Sequence, residues 1–355
     1  MNIALQGGGA HGAFTWGVLD YLLEDGRLQI AGVSGTSAGA MNAVALADGF
    51  TRGGPEGARS ALEHFWRCMS EGAKNSPLRR MPIDVLMGNW GLENNPVYHA
   101  MDALSRMVSP YQLNPMNINP LRDLVKDSID FDMVRKCEAF ELFISATNVE
   151  TGKVKIFPRE ELTVDMVMAS ACLPQLYQAV EIDGVPYWDG GYMGNPSLFP
   201  FHGKTGTDDT VIVQINPIER RGIPRTAMEI QNRVNEISFN GSLLKELRAI
   251  DFVDRLICDG KLSREDYRQV RVHLIENQQE LKRLGASSKM NTEWAFLTTL
   301  RDLGRETTAA WLEQTLPSIG QCSTVNLSEM FSCRSSPGRT ASRCRNTRRG
   351  GRIDR

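Results

Sequence analysis

Hydrophobic positions along the chain alternate between two textures, short unbroken apolar runs and longer stretches with helical spacing. Residues 2–5 (NIAL) form the first unbroken run and predict a buried parallel strand. From Ala10 onward the apolar residues fall at Phe14, Val18, Leu19, Leu22 and Leu23, which is helical spacing ending near Gly26. A second short run, IAGVSG (30–35), leads into the small-residue stretch SAGAMNAVALA. Strand, helix, strand and helix in that order predict the opening of a parallel α/β sheet. A further helix is expected over 56–72, from Ala61, Leu62, Phe65 and Met69.

Between 75 and 120 the pattern breaks. Six of the sixteen prolines lie here, and the region reads as an insertion of loops and short helices, with a helical piece at 97–108. Strand texture returns in FELFISATNV (140–149) and VKIF (154–157), with Thr151-Gly152 as a hairpin turn. TVDMVMASAC (163–172) predicts a helix. YQAVEI, PYWDGG and the β-branched TVIVQIN (210–216) follow, the last as a buried strand. Long helical patterns cover 225–258 and 290–314. No internal repeat is visible.

The chain of 355 residues is 41% hydrophobic and 23% charged, an ordinary balance for a globular protein. Its net charge of −2 is unevenly placed: residues 334–355 hold eight Arg and one Asp, so that segment is expected to be a basic, disordered tail. A solvated tail is the plain expectation, and peripheral contact with an anionic membrane surface is the alternative. Nothing in the remaining charge asks for a nucleic-acid partner. The seven cysteines are widely spaced and form no CxxC pair, which predicts reduced thiols in a cytoplasmic setting and no metal site. Neither a secretory leader nor an apolar run of spanning length is evident.

Two glycine-rich turns carry the chemistry. Gly7, Gly9 and Gly12 satisfy G-x-G-x-x-G between a strand and a helix, formally a dinucleotide fingerprint. That reading also requires a carboxylate at the end of the second strand, and Gly32-Val33-Ser34-Gly35 supplies none. A turn of this kind points backbone N–H groups at negative charge, which can equally be the alkoxide of a tetrahedral intermediate. The nucleophile for such an intermediate is Ser37, in Gly35-Thr36-Ser37-Ala38-Gly39, a G-x-S-x-G pentapeptide at a strand-to-helix junction.

A serine needs a base. A Ser-Asp-His esterase would have to use His202 or His273, and neither has supporting neighbours in sequence. The other candidate is Asp189, in Tyr187-Trp188-Asp189-Gly190-Gly191, although a plain D-G turn accounts for those residues as well. A free Asp has a pKa of about 3.9 and would be a weak base at neutral pH.

QGGGAHG, then GTSAG, then DGG, with SACLP (170–174) and Asn195-Pro196 around the last, resemble the patatin-like phospholipase family over about residues 3–202. The resemblance implies a three-layer α/β fold on a parallel sheet, with a helical insertion at 75–120 acting as a lid. Residues 203–333 would form a C-terminal strand and helical extension. It also implies a Ser–Asp dyad without histidine or cofactor, with Ser37 as nucleophile and Asp189 as proton acceptor. Gly7, Gly8, Gly9 and Gly12 would lie in the oxyanion-hole turn, with Gly35, Gly39, Gly190 and Gly191 shaping the motifs. The substrate would be a lipid or phospholipid acyl ester. Position 11 departs from the pattern: many members carry Arg or Lys there, and this chain has His11. Met81, Met87, Met101, Met107, Met116 and Trp90 in the insertion are expected as core, or as an acyl-chain groove. A non-catalytic nucleotide or lipid binder is the remaining alternative.

Overall fold

A computed structural model of the chain describes residues 1–263 and 266–331. The arginine-rich tail expected at 334–355 therefore lies outside the described residues. The predicted alternation at the N-terminus is present as β1 (Asn2–Leu5), α1 (Gly12–Asp25), β2 (Gly32–Gly35) and α2 (Ala38–Gly72). The two helices expected at 37–47 and 56–72 meet in α2 across a kink. Gly53 and Gly54 leave helical geometry there, Gly54 at φ +60°, and Pro55 restarts the second half.

The later strands are β3 (Glu141–Asn148), β4 (Val154–Pro158), β5 (Val180–Ile182), β6 (Val185–Asp189), β7 (Asp209–Gln214) and β8 (Arg271–Glu276). Among the described residues they form one eight-stranded sheet in the order β5-β6-β3-β2-β1-β7-β8, with β4 also paired to β3. Strands β3, β2, β1, β7 and β8 run parallel, whereas β4 and β6 pair antiparallel to β3. The alternating VRVHLI stretch thus extends the sheet as β8, beside β7.

Side chains alternate across the sheet because the strand period is two. Ile3, Leu5, Val33, Leu142, Ile144, Val211 and Val213 face one apolar cluster, built with α1 and α2. Ala4, Phe143 and Ile212 face another, built with Leu243 and Leu247 of the Ala227–Cys258 helix. Helices on both faces make the three-layer α/β arrangement. The Trp294–Thr315 helix packs directly on α1 at two glycines. A Cβ on Gly17 would lie 1.9 Å from the Arg301 carbonyl oxygen, and one on Gly304 would lie 2.2 Å from that of Phe14.

The 75–120 region is a run of short helices, with Pro96–Met107 where helical spacing predicts one. Its root is fixed. Arg80 forms a bidentate pair with Glu293 and stacks on the Trp90 ring, and Leu92 N–H donates to Ser287 Oγ at 2.8 Å. Its methionines are not core: Met87, Met107 and Met116 are each more than three-quarters exposed.

Candidate active site

Because β1, β2 and β7 are parallel and in register, their C-terminal ends bring three loops together: the turn after Leu5, the turn after Gly35, and Ile215-Asn216. Ser37 occupies the second turn with φ +54° and ψ −120°, a conformation rare for a residue with a side chain. Its strain is held by the packing around it. A Cβ on Gly35 would lie 2.6 Å from the Gly39 carbonyl oxygen, and one on Gly39 would lie 2.3 Å from that of Leu5. Ser37 N–H donates to Ser170 Oγ at 2.9 Å, and Thr36 Oγ1 donates to the Gly194 carbonyl at 2.6 Å. The serine therefore stands at the N-terminus of α2, where the helix dipole favours negative charge.

Asp189 ends β6, opposite Ala146 of β3, and is 1% exposed. Its backbone is tied by Asp189 N–H to the Cys172 carbonyl at 2.8 Å and by Thr147 Oγ1 to its own carbonyl at 2.8 Å. One carboxylate oxygen, Oδ1, accepts the Gly191 N–H at 2.7 Å, while Oδ2 is buried with no hydrogen-bond partner. Burial pushes the pKa up to about 7, although the Gly191 N–H, the Ser37 hydroxyl and the Lys289 charge each pull it back down. The Ser37 hydroxyl thus acts on the carboxyl electrostatically, while Oδ2 itself is left without a partner. The weak base expected from a free aspartate is replaced by a group that titrates near neutrality.

The first turn divides its glycines into two kinds. Gly7 N–H donates to Asn195 Oδ1 at 2.7 Å, and Gly12 N–H bonds back to the Gly9 and Ala10 carbonyls. Neither of these two N–H groups is free to meet an oxyanion. Their use is clearance: a Cβ on Gly7 would sit 2.7 Å from Ser37 Cβ, and one on Gly12 would sit 2.8 Å from Ala38 Cβ. Gly8 and Gly9 N–H have no acceptor among the described residues. Gly9 needs its φ of +58° to turn the chain there.

Neither histidine of the alternative triad approaches Ser37. His273 lies next to Val211 in the β7–β8 register, and its Nε2 meets Asp209 Oδ1 at 3.1 Å, at the start of β7. Ser37 follows the ends of the strands, on the opposite edge of the sheet. Burial works against the charge on Asp209, but Arg271, the Gly320 N–H and His273 hold its pKa well below the usual range, so this is a closed structural network. His202 is exposed beside Phe201 and Thr205, which pack on Gly32 at the start of β2. His11 is in the first turn, but it is buried against Ser288 Oγ at 2.8 Å, and burial pushes its pKa down to about 3.

Several supporting residues fix the turns from outside the elbow. Gln6 Oε1 accepts from Ile215 N and Asn216 N, and its amide donates to Asn240 and to the Asn195 carbonyl. Asn42 clamps α2 to the turn through the Gly12 and Ala38 carbonyls, with Trp66 Nε1 donating to it at 3.0 Å. Asn216 Nδ2 donates to the Gly7 carbonyl at 2.6 Å and its Oδ1 accepts from Lys289 Nζ at 2.7 Å. Of these, Gln6 and Asn195 fall in quoted motifs, QGGGAHG and the Asn-Pro pair after DGG, whereas nothing in the sequence marks Asn42, Asn216 or Asn240. A cleft of about 720 Å³ opens beside Trp188 and Tyr192, bounded by Thr147 and Met193 and by Met107 and Pro110 of the insertion.

A family model described as patatin-like phospholipase matches residues 3–202, more than half of the chain and all of the motifs above. The chain belongs to the patatin-like phospholipase family. No curated protein matches its sequence significantly. Among solved structures it is similar to VipD from Legionella pneumophila, at 16% identity and a TM-score of 0.36, over 86% of this chain and 67% of that one. It is also similar to the type III effector protein ExoU, at 13% identity and a TM-score of 0.36, over 88% of this chain and 52% of that one. A further similarity is to the ExoU–SpcU complex of the Pseudomonas aeruginosa type III secretion system, at 16% identity and a TM-score of 0.33, over 88% of this chain and 52% of that one. This patatin-like chain thus spans about half the length of the ExoU chains. Among its described residues no helix is long and apolar enough to cross a membrane.

Proposed function

We propose that this patatin-like protein is a serine lipid acyl hydrolase that cleaves carboxylic esters through an acyl-enzyme on Ser37, with Asp189 as the base. The observation that carries the reading is a buried carboxylate, with one unpartnered oxygen, held beside a serine in a strained elbow. Ser37 Oγ attacks the ester carbonyl carbon while its proton passes to Asp189 Oδ2. The carbonyl oxygen becomes an oxyanion facing the free Gly8 and Gly9 N–H groups of the turn between β1 and α1. Collapse of the intermediate expels the alcohol, which takes the proton from Asp189. Water then attacks the acyl-enzyme with Asp189 again as base, releasing the fatty acid and restoring Ser37.

A base that titrates near neutral pH suits this cycle, since it can accept the proton and then return it. The methionine-bordered cleft beside Trp188 and Tyr192 fits an apolar acyl chain, and the exposed apolar side chains of 83–118 favour a lipid surface over a small polar ester. The insertion would then act as the rim of the site.

Labelling with a fluorophosphonate probe tests the reading. The wild type should be labelled and should release fatty acid from phospholipid vesicles; Ser37→Ala should lose both, and Asp189→Asn should lose hydrolysis. Retained hydrolysis in Ser37→Ala would exclude the mechanism. The His202→Asn, His273→Asn double variant should remain active, and its inactivity would revive the triad.

A further inference from the structure

His11, in the glycine turn, is turned onto Ser288 and burial keeps it neutral, so it brings no positive charge to the turn. We propose that Lys289, which lies outside the matched segment, braces the oxyanion turn through Asn216 and places a positive charge beside it. This rests on the reading of Ser37 and Asp189 as an ester-hydrolysing pair.

The contact is direct on the main-chain side. A Cβ on Gly9 would lie 2.5 Å from the Lys289 carbonyl oxygen and 3.2 Å from its Cβ, so the turn rests on this residue. The ammonium reaches back to the site. Nζ donates to Asn216 Oδ1 at 2.7 Å, and Asn216 Nδ2 donates to the Gly7 carbonyl at 2.6 Å, which links the cation to the peptide that precedes the free Gly8 N–H. No carboxylate forms an ion pair with Nζ among the described residues, so its charge is not spent on a salt bridge. The charged groups that act on it are Glu236, Asp189 and Arg220, and it acts in turn on His11 and Asp189. Glu236 is itself held by Arg220 and Arg233. The side chain keeps some solvent contact, yet its ammonium is enclosed deeply enough that burial pushes the pKa down to about 8. It remains a cation at neutral pH, in a surround where charge acts strongly on a developing oxyanion.

Lys289 acts through Asn216 and through space, as a positioning residue. It holds the turn in its donor-outward form, and its charge adds to the Gly191 N–H and the Ser37 hydroxyl, the larger influences that oppose burial at Asp189.

The test compares Lys289→Gln, which can still bond Asn216 but carries no charge, with Lys289→Arg; Lys289→Met serves as a second neutral variant. Titration of the Asp189 carboxyl by ¹³C NMR needs no substrate. Its midpoint should move upward in both neutral variants and return toward the wild-type value in Lys289→Arg. On a short-chain ester, kcat should fall about tenfold in Lys289→Gln with KM nearly unchanged, less than the ~10² typical of losing a direct oxyanion donor. An unchanged kcat in both folded neutral variants overturns the proposal. A shifted midpoint with no hydrolysis in the wild type supports the electrostatic coupling and sinks the hydrolase reading instead.

Discussion

The side-chain oxygen of Asn195 accepts the Gly7 N–H at 2.7 Å. That bond turns a motif glycine from a donor into an anchor, because both partners are fully enclosed and the next two N–H groups are aimed by it. Asn195→Ala should leave the Gly7 N–H buried without a partner, at a cost of about 1–3 kcal/mol. Thermal unfolding should register that loss, and kcat should drop with it, because the turn is no longer pinned. Unchanged kcat with a lowered Tm would mean that the anchor serves only the fold.

The carboxyl of Asp189 has a folded pKa of about 7, above its ordinary value of 3.8. The folded state therefore binds more protons than the unfolded state between those two values. Stability contributed by this group is present at low pH and is lost as pH rises through about 7. Asp189→Asn should accordingly raise Tm at pH 8 by more than at pH 5, while hydrolysis disappears. An equal change at both pH values would show that the carboxylate is not strained by burial.

Activity should follow a bell in pH. Ionisation of Asp189 gives the rising limb near 7, and deprotonation of Lys289 near 8 gives the fall. The two groups act on each other, so the limbs of kcat/KM belong to the pair. In Lys289→Gln the falling limb should vanish.

Leu86, Met87 and Met116 are largely exposed on the insertion and do not border the cleft. Each apolar side chain that a lipid surface covers is worth about 1.5–3 kcal/mol when fully buried. Changing all three to Ser should lower hydrolysis of phospholipid vesicles by at least tenfold, leave a short-chain ester unaffected, and shift Tm little. Equal losses on both substrates would remove the insertion from lipid contact.

Gly304→Val would drive a branched side chain into the Phe14 carbonyl on α1. Overpacking of this sort costs about 1–3 kcal/mol. The variant should melt earlier yet still label at Ser37 when folded, since the crossing lies away from the elbow.

The motifs and the periodic elements were legible because each rests on local chemistry. Gly35, Ser37 and Gly39 announce an elbow by their order, and the run at Val211–Val213 can only be a buried strand. The strand at β8 is not read from the sequence, and its place follows from pairing with β7 across the whole Ala227–Cys258 helix. Asn216 and Lys289 are illegible for a stronger reason. Nothing in SSKMN marks Lys289, whose meaning comes from a contact with Gly9, 280 positions away. The pKa of Asp189 is likewise a property of enclosure, which no local sequence encodes.

Strand β7 lies between β1 and β8 and comes from beyond residue 202. A fragment ended there would keep every motif residue but strip β1 of its partner on one side. The row of bare amides and carbonyls so uncovered, flanked by Ile3 and Leu5, would recruit strands from other molecules. The catalytic motifs and the means of keeping them monodisperse are thus written in different halves of the chain.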